Sequence, residues 1–400
     1  MPQILNAAAL CAVGAEKAVS NEIRKLNLTI CESGFGRIRF RSDLAGIYRA
    51  LIGLRAADRV LLETAWFDAP DFDALFENTR SVPWEDYIPR GAGFAVTKVR
   101  TNRSVLKAET SVQAIVHKAA AERLCGKWGI QRIPDSNEKA ELRVYIEKDK
   151  AALLLDLSGE PLFKRGYRSE GGAAPLRETT AAAMLLLSGW KRKFPLYDPF
   201  CGSGTVLIEA VMYAWDMAPG LGRNFAMEEL LIAERETEQA VREDFRSKID
   251  FGRLVRIAGS DEDTRTVSIA MSNIERLRDL AEGRTPQRGI RPASGKTGPI
   301  ELKTLPMKAA QPAFPPDSDA GRPAGFIITN PPYGKRLGDQ EQAEQTYREM
   351  ETLGQRFPGW KLALITDHSG FESFFGRKAD SCRPISNGAI PSYFYQYELL

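Results

Sequence analysis

Residues 194–205 read Phe194-Pro195-Leu196-Tyr197-Asp198-Pro199-Phe200-Cys201-Gly202-Ser203-Gly204-Thr205. An apolar run stops at an acid, a Gly-x-Gly turn follows, and Val206-Leu207-Ile208 opens an apolar helical segment. A strand that turns into a helix in this way lies at the carboxyl edge of a doubly wound sheet, where such folds hold ligands. Glycine at 202 and 204 lets the backbone approach a ligand without a Cβ clash. Asp198 sits where a carboxylate can accept from a cationic group or order water around it. The competing account is plain turn chemistry, with Gly-Ser-Gly for geometry and Asp198 as a helix cap. The full eight-residue string between an apolar run and an apolar helix favours a ligand loop. A phosphate loop is disfavoured because no Gly-Lys-Ser/Thr follows, and an NAD site because the third glycine of GxGxxG is missing.

Around this loop the chain alternates. Helix is predicted over 179–189, strand over 194–197, helix over 205–215, strand over 254–259, helix over 264–280, and strands over 325–329 and 362–366. That is the pattern of a doubly wound α/β sheet. Ile257-Ala258-Gly259-Ser260-Asp261 puts a second acid at a strand end, where Asp261 suits the two hydroxyls of a ribose. Residues 284–323 are rich in Pro and Gly and read as a mobile surface loop with a short strand at 300–302. Before residue 158 short strands (36–40, 94–100, 142–146, 151–157) and helices (15–26, 44–54, 111–128) interleave, as in small α+β modules. The Gly/Arg/Ser/Pro-rich stretch 166–177 reads as a connector, and the expected division is 1–160 and 161–400.

The second informative string is Phe326-Ile327-Ile328-Thr329-Asn330-Pro331-Pro332-Tyr333. Two prolines make a rigid turn whose carbonyls face one way. The Asn330 side-chain oxygen and the Pro331 carbonyl can accept the two hydrogens of an exocyclic base amine, and Tyr333 can stack on an extruded base. Such catalysis is positioning and electrostatics, with no protein nucleophile. The alternative is a structural Pro-Pro turn with a packed tyrosine. Its place after a strand, downstream of the glycine loop, favours the chemical reading.

Composition sets the frame. The 400 residues carry a net charge of only +3, so charge alone does not announce a nucleic-acid partner. Five scattered cysteines and two histidines, without a CxxC pair, support neither a disulfide framework nor a metal centre. No signal-peptide pattern and no membrane-length apolar run occur, so a reduced, cytoplasmic chain without membrane contact is expected.

The loop Asp198–Thr205 resembles the cofactor loop of S-adenosylmethionine-dependent methyltransferases, and Asn330–Tyr333 the motif by which some of them methylate base nitrogen. Together with 161–168, 174–179, 330–338, 375–380 and 393–397, these strings resemble the bacterial THUMP-domain RNA methyltransferases, in particular the large-subunit ribosomal RNA guanine-N2 family. The resemblance spans nearly the whole chain. It implies a ferredoxin-like lead-in and a THUMP RNA-binding module, then a Rossmann-like class I methyltransferase domain. It implies S-adenosylmethionine held by Asp198, Pro199, Cys201, Gly202, Ser203, Gly204, Thr205, Asp261 and Asn330, with Asn330, Pro331, Pro332 and Tyr333 as catalytic motif. One departure stands out: 302–316 contains no Asp or Glu where the family usually holds the cofactor's adenine amine.

For RNA the candidates are Lys98, Arg100, Arg103 and Lys107, with Lys118 and Arg123 on the next helix, and Lys164, Arg165 and Arg168 at the junction. Lys and Arg on phosphates give salt-dependent, sequence-tolerant binding. Glu109 and Glu122 among them leave a mixed-charge surface as the alternative. The expected activity is methylation of guanine N2 in ribosomal RNA. Competing readings are guanine N7, a tRNA substrate, adenine N6 in DNA, and a non-catalytic RNA-binding assembly factor.

Overall fold

The computed structural model describes residues 3–136, 139–168, 176–284, 300–315, 322–333, 339–388 and 390–399. The N-terminal half contains β1 (Leu5–Cys11), α1 (Glu16–Lys25), β2 (Thr29–Gly34), β3 (Arg37–Ser42), α2 (Leu44–Gly53) and β4 (Ala57–Asp68). After them come α3 (Phe72–Ser81), β5 (Gly93–Asn102), α4 (Glu109–Trp128), β6 (Lys139–Glu147) and β7 (Lys150–Asp156). Its strands lie in the order β2-β3-β1-β4-β7-β6-β5. β3 shows why: Ile38 and Phe40 are buried while Arg37, Arg39 and Arg41 alternate with them. The twelve-residue β4 pairs with β1 on one side (Ala7 opposite Leu62) and with β7 on the other (Leu61 opposite Asp156 to Asp68 opposite Lys150). Two α+β modules thereby share one continuous sheet.

The C-terminal half contains α5 (Glu178–Leu187), β8 (Leu196–Asp198), α6 (Thr205–Ala214), α7 (Arg235–Ser247), β9 (Ile257–Asp261), α8 (Thr264–Ala281) and β10 (Ile300–Thr304). It continues with β11 (Phe326–Thr329), α9 (Asp339–Met350), α10 (Leu353–Arg356), β12 (Lys361–Thr366), α11 (Phe371–Phe375), β13 (Ser381–Asn387) and β14 (Ile390–Glu398). The sheet order is β10-β9-β8-β11-β12-β14-β13, parallel from β10 to β12, with β14 antiparallel between β12 and β13. Every residue of β8 and β11 is buried, as expected of central strands covered on both faces. Chain order runs one way from β8 through β9 to β10 and the other way from β11 to β12. The reversal falls between β8 and β11, which makes their carboxyl ends the ligand crevice of this fold.

The halves are not beads on a string. Gly220 N donates to Ile52 O at 2.8 Å and Glu234 N to the Tyr48 hydroxyl at 3.1 Å. Arg55 Nη2 donates to Met217 O at 2.6 Å. One apolar cluster runs through both halves, from Ala7 to Phe394.

The junction departs from the sequence expectation. Residues 169–175 lie outside the described residues, but their flanks are packed: Arg165 is 2% exposed, Tyr167 0% and Leu176 5%. Arg165 therefore is not an RNA contact. Its guanidinium pairs with buried Glu209 at 3.4 Å and donates to Leu162 O at 2.5 Å and to Arg55 O. Breaking a buried ion pair leaves an uncompensated charge, so Arg165→Ala is expected to lose about 3–5 kcal/mol of stability. Lys164→Ala, at an exposed pair with Glu160, should lose less than about 1 kcal/mol. Urea unfolding of the two variants checks this; equal midpoints would return Arg165 to the surface.

Candidate active site

The ends of β8 and β11 are tied together by one hydrogen bond. Asp198, the last residue of β8, is 1% exposed, and its Oδ1 accepts from Thr329 Oγ1 at 2.6 Å and from Phe200 N at 3.1 Å. Thr329 ends β11 and is followed directly by Asn330. Burial pushes the Asp198 carboxyl up to about 7, and the charge of Asp261 acts in the same direction, against those two hydrogen bonds. Oδ1 is thus committed to the fold, and what Asp198 can offer a ligand is its other oxygen and its charge.

The glycine turn is held from several sides. Cys201 N donates to Ser260 O at 2.9 Å, Gly204 N to Cys201 O at 2.8 Å, and Asn273 Nδ2 of α8 to Ser203 O at 3.0 Å. Gly204 has φ +83°, and a Cβ there would lie 3.2 Å from the Ala270 Cβ, so the turn and the α6–α8 contact both require glycine. Above Gly202 there is room: a Cβ would meet nothing nearer than Phe200 O at 4.0 Å. Asp261 lies beside it, with Oδ2 accepting from Gly202 N at 3.0 Å and Oδ1 from Asp263 N at 3.1 Å. Each oxygen keeps a further lone pair for a hydroxyl donor. An open backbone cradle flanked by two acids fits a ligand carrying a positive charge and a ribose. Pro199 and Cys201 are buried in the turn. Burial raises the Cys201 thiol, as do both acids, so it is no thiolate nucleophile.

Arg168 braces this loop and does not face solvent as an RNA clamp would. Its Nη2 donates to Thr205 Oγ1 at 2.8 Å and to Leu176 O at 3.0 Å, and it pairs with Glu178 at 3.3 Å. Burial pushes Glu178 up to about 6 in spite of that arginine.

At the second motif Pro331 is buried and Pro332 exposed. The Tyr333 hydroxyl donates to Asn330 Oδ1. The hydroxyl thus holds the asparagine, and the Tyr333 side chain is half-buried. The Pro332 carbonyl accepts from the Tyr347 hydroxyl of α9 at 2.7 Å, and Thr366 Oγ1 at the end of β12 lies 3.1 Å from the same hydroxyl. Tyr347 packs edge-on against Phe371, ring centroids 4.9 Å apart. Burial pushes the Tyr347 hydroxyl up to about 12 and raises that of Tyr333 as well, so both stay protonated donors at neutral pH. Nothing local in the sequence marks Tyr347, Thr366 or Asn273. Residues 334–338 lie outside the described residues.

Part of the stretch read as a surface loop is packed. Met307 and Ala310 are buried, their carbonyls accept from Arg356 Nη1 at 2.6 and 2.9 Å, and Leu305 N donates to Asp261 O at 3.0 Å. The strand read at 300–302 is β10, whereas 285–299 and 316–321 lie outside the described residues.

Lys98 and Arg100 lie on β5, with Arg103 and Lys107 exposed just beyond it. Arg100 pairs with Glu109 at 2.9 Å. Arg123 is engaged by Glu85 at 2.5 Å and belongs to the fold, whereas Lys118 is exposed. His117 is exposed on α4, and His368 follows β12 with Nε2 3.4 Å from Glu344. Among the described residues no cluster of His, Cys, Asp and Glu is arranged to hold a metal, and no helix is long and apolar enough to cross a membrane.

Family models match three stretches: an RlmL ferredoxin-like domain over residues 6–61, a THUMP domain over 69–156, and an RMKL-like methyltransferase domain over 165–281 and 309–396. The chain is 34% identical over 393 residues to the Bacillus subtilis (strain 168) protein named "Putative RNA methyltransferase YpsC", covering 97% of this chain and 94% of that one. It is 31% identical over 397 residues to Ribosomal RNA large subunit methyltransferase K/L of Syntrophotalea carbinolica, covering 96% of this chain but 52% of that protein, so it spans about half the length of that relative. A solved structure, "SMU.472, a putative methyltransferase complexed with SAH", superposes with a TM-score of 0.83 at 32% identity, covering 100% of this chain and 99% of that one.

Proposed function

The chain belongs to the RMKL-like methyltransferases that carry ferredoxin-like and THUMP domains, an S-adenosylmethionine-dependent family, and from that premise we propose that it methylates guanine N2 in large-subunit ribosomal RNA. The observation that carries the reading is the Thr329–Asp198 hydrogen bond, which sets the Asn-Pro-Pro-Tyr turn against the glycine loop at the topological switch point. S-adenosylmethionine supplies an electrophilic methyl group there. The residues do the rest by placement. Asp198 and Asp261 meet the positive charge and the ribose, and Arg168 keeps Thr205 and the start of α6 in place. Asn330 Oδ1 and the Pro331 carbonyl accept the hydrogens of the base amine, aiming its nitrogen at the methyl group. Tyr347 holds the Pro332 carbonyl, so the turn keeps its direction.

Two acceptors suit an exocyclic amine. Guanine N7 has a lone pair and no hydrogen, so the same acceptors would face it without a donor. Adenine N6 is also an exocyclic amine, and the THUMP domain argues for RNA over DNA. We place the activity in the cytoplasm, and within the relatives' names we take ribosomal RNA over tRNA.

RNA engagement is assigned to Lys98, Arg103 and Lys107, together with Arg100 on the same strand and with Lys164 at the junction, since Arg165 and Arg168 belong to the fold. Replacing those three by Ala in the full chain should lower the slope of log affinity against log salt by roughly 2–3. Tritium from labelled S-adenosylmethionine should enter protein-free ribosomal RNA from a strain lacking the gene, and enter it more slowly with the triple variant. Label in DNA of that strain, with none in its RNA, would overturn the reading.

A further inference from the structure

The seven-stranded N-terminal sheet carries α1 to α4 on one face. Its register puts Ile38, Ala9 and Val60 in one row, and Leu62, Leu155 and Leu142 in another. These residues share the main core with Val19 of α1, Leu51 of α2, Leu75 of α3 and Val116 of α4. The residues that alternate with them along each strand point the other way. There Leu61, Ala152 and Leu154 form a separate small cluster with Leu10 and Tyr145, and no helical residue belongs to it.

The helix-free face is basic. Arg37, Arg39 and Arg41 of β3 project from it, and directly paired residues extend it to Arg59 of β4, Arg143 of β6 and Lys98 of β5. Arg39 meets Glu32 at 3.0 Å and Glu63 at 2.9 Å, and Asp156 takes Arg59 at 2.6 Å and Arg143 at 3.1 Å. Glu141 and Glu147 stand toward the two ends of β6, and Glu147 lies opposite Lys150. Arg41 is exposed, and Arg37 lies over the Tyr145 ring, 5.6 Å from its centroid. Among the described residues neither of these two pairs with an acid. Tyr145 is on β6, beyond β1, β4 and β7, so the twisted sheet brings β3 and β6 toward each other across this face. Trp66 of β4, in one row with Ala152, Tyr145 and Arg100, is 40% exposed, with the Arg39 guanidinium 4.2 Å from its ring centroid. Where the chain passes to the C-terminal half, Arg59 Nη1 donates to Gly159 O at 2.7 Å.

Resting on the reading of this chain as an RNA enzyme, we infer that the helix-free face binds a single-stranded segment of that RNA. Arg37, Arg41 and Lys98 meet its phosphates, and Trp66, with Arg39 over its ring, takes an unpaired base. A guanidinium without a carboxylate partner reaches a phosphate with no ion pair to break. Stacking on Trp66 needs a base outside a helix, since paired bases are closed into their own stack. The charge of the face suits a polyanion, whereas the apolar side chains that a protein partner would cover are already buried: Leu61 is 0% exposed, Ala152 1% and Leu154 1%. The segment crosses from the ferredoxin-like stretch, which holds β3, to the THUMP stretch, which holds Lys98.

The test uses the full chain without cofactor, with labelled oligouridine and a fully paired RNA hairpin, over a series of salt concentrations. Arg37→Ala with Arg41→Ala should weaken oligouridine binding at least about tenfold and lower the slope of log affinity against log salt by about 1.4, at about 0.7 per contact. Trp66→Ala should weaken it about tenfold with the slope unchanged, and Trp66→Phe should restore most of the loss. Arg24→Ala with Lys25→Ala makes the same charge change on α1, which lies on the covered side, and should stay within about twofold. Equal losses in the two double variants, an unchanged salt slope without Arg37 and Arg41, or wild-type binding by Trp66→Ala overturns the proposal. So does polyglutamate that displaces oligouridine as readily as unlabelled RNA does, and so does a hairpin that depends on Trp66 as strongly as oligouridine. A wild-type chain that binds neither RNA sinks the RNA reading and the proposal together. The expected binding differences in a chain that methylates no RNA sink the methyl-transfer reading alone.

Discussion

Asn330→Ala should cost at least about a hundredfold in methyl transfer while leaving cofactor affinity within about threefold. Losing a preorganised partner of the reacting group typically costs about 2.7–4 kcal/mol in the transition state. Asn330 is set up for that role from two directions: Thr329 before it is bonded to Asp198, and Tyr333 after it donates to its side-chain oxygen. The cofactor side rests on different groups, the 198–205 turn and Asp261, which is why the two effects should separate. Single-turnover kinetics with saturating cofactor, beside calorimetry of cofactor binding, measure both. Turnover above a tenth of wild type would remove Asn330 from the chemistry, and parallel losses in both would make it a cofactor residue first.

The second large effect concerns Asp198 and pH. Its carboxyl sits at about 7 because it is buried, next to Asp261. A raised folded-state value means the protein alone is helped by the neutral acid. That contribution is complete below the ordinary carboxylate range and is lost as pH rises through about 7; the gap corresponds to about 4 kcal/mol. Cofactor binding should run the other way, since a positive ligand prefers the carboxylate. Affinity should rise about tenfold per pH unit up to about 7 and then level off. Asp198→Asn should flatten both profiles and weaken binding above pH 7 by at least about tenfold. Melting curves and calorimetry between pH 5 and 8, about three units spanning the transition, give the two slopes. Slopes of the same sign, or an unchanged profile in Asp198→Asn, would mean this carboxyl does not govern either process.

Much of this fold was legible because its central strands are buried on both faces. β8 and β11 are short apolar runs that end at Asp198 and at Thr329, just before Asn330, and two such runs with a helix pattern between them suffice to imply a parallel sheet. β4 was not legible. Val60, Leu61 and Leu62 are all buried, whereas residues 63–68 are partly open, so neither strict alternation nor a uniform apolar run marks it. The junction arginines misled for a different reason. Charge is visible in a sequence and burial is not, and Arg165 is read correctly only once Glu209, 44 residues away, is seen against it. Tyr347 and Asn273 escaped because each acts on a segment remote in sequence, such as Asn273 Nδ2 on Ser203 O across 70 residues. The two motif loops, in contrast, carry their geometry in consecutive residues.

The most direct measurement is a nucleoside-by-nucleoside comparison of ribosomal RNA and DNA from a strain lacking this gene, restored in turn with the wild-type chain and with Asn330→Ala. N2-methylguanosine should fall in large-subunit ribosomal RNA, return with the wild-type chain and stay absent with Asn330→Ala, while N6-methyladenine in DNA stays constant. Unchanged N2-methylguanosine together with a loss of N6-methyladenine from DNA, restored by the wild-type chain, would contradict the account.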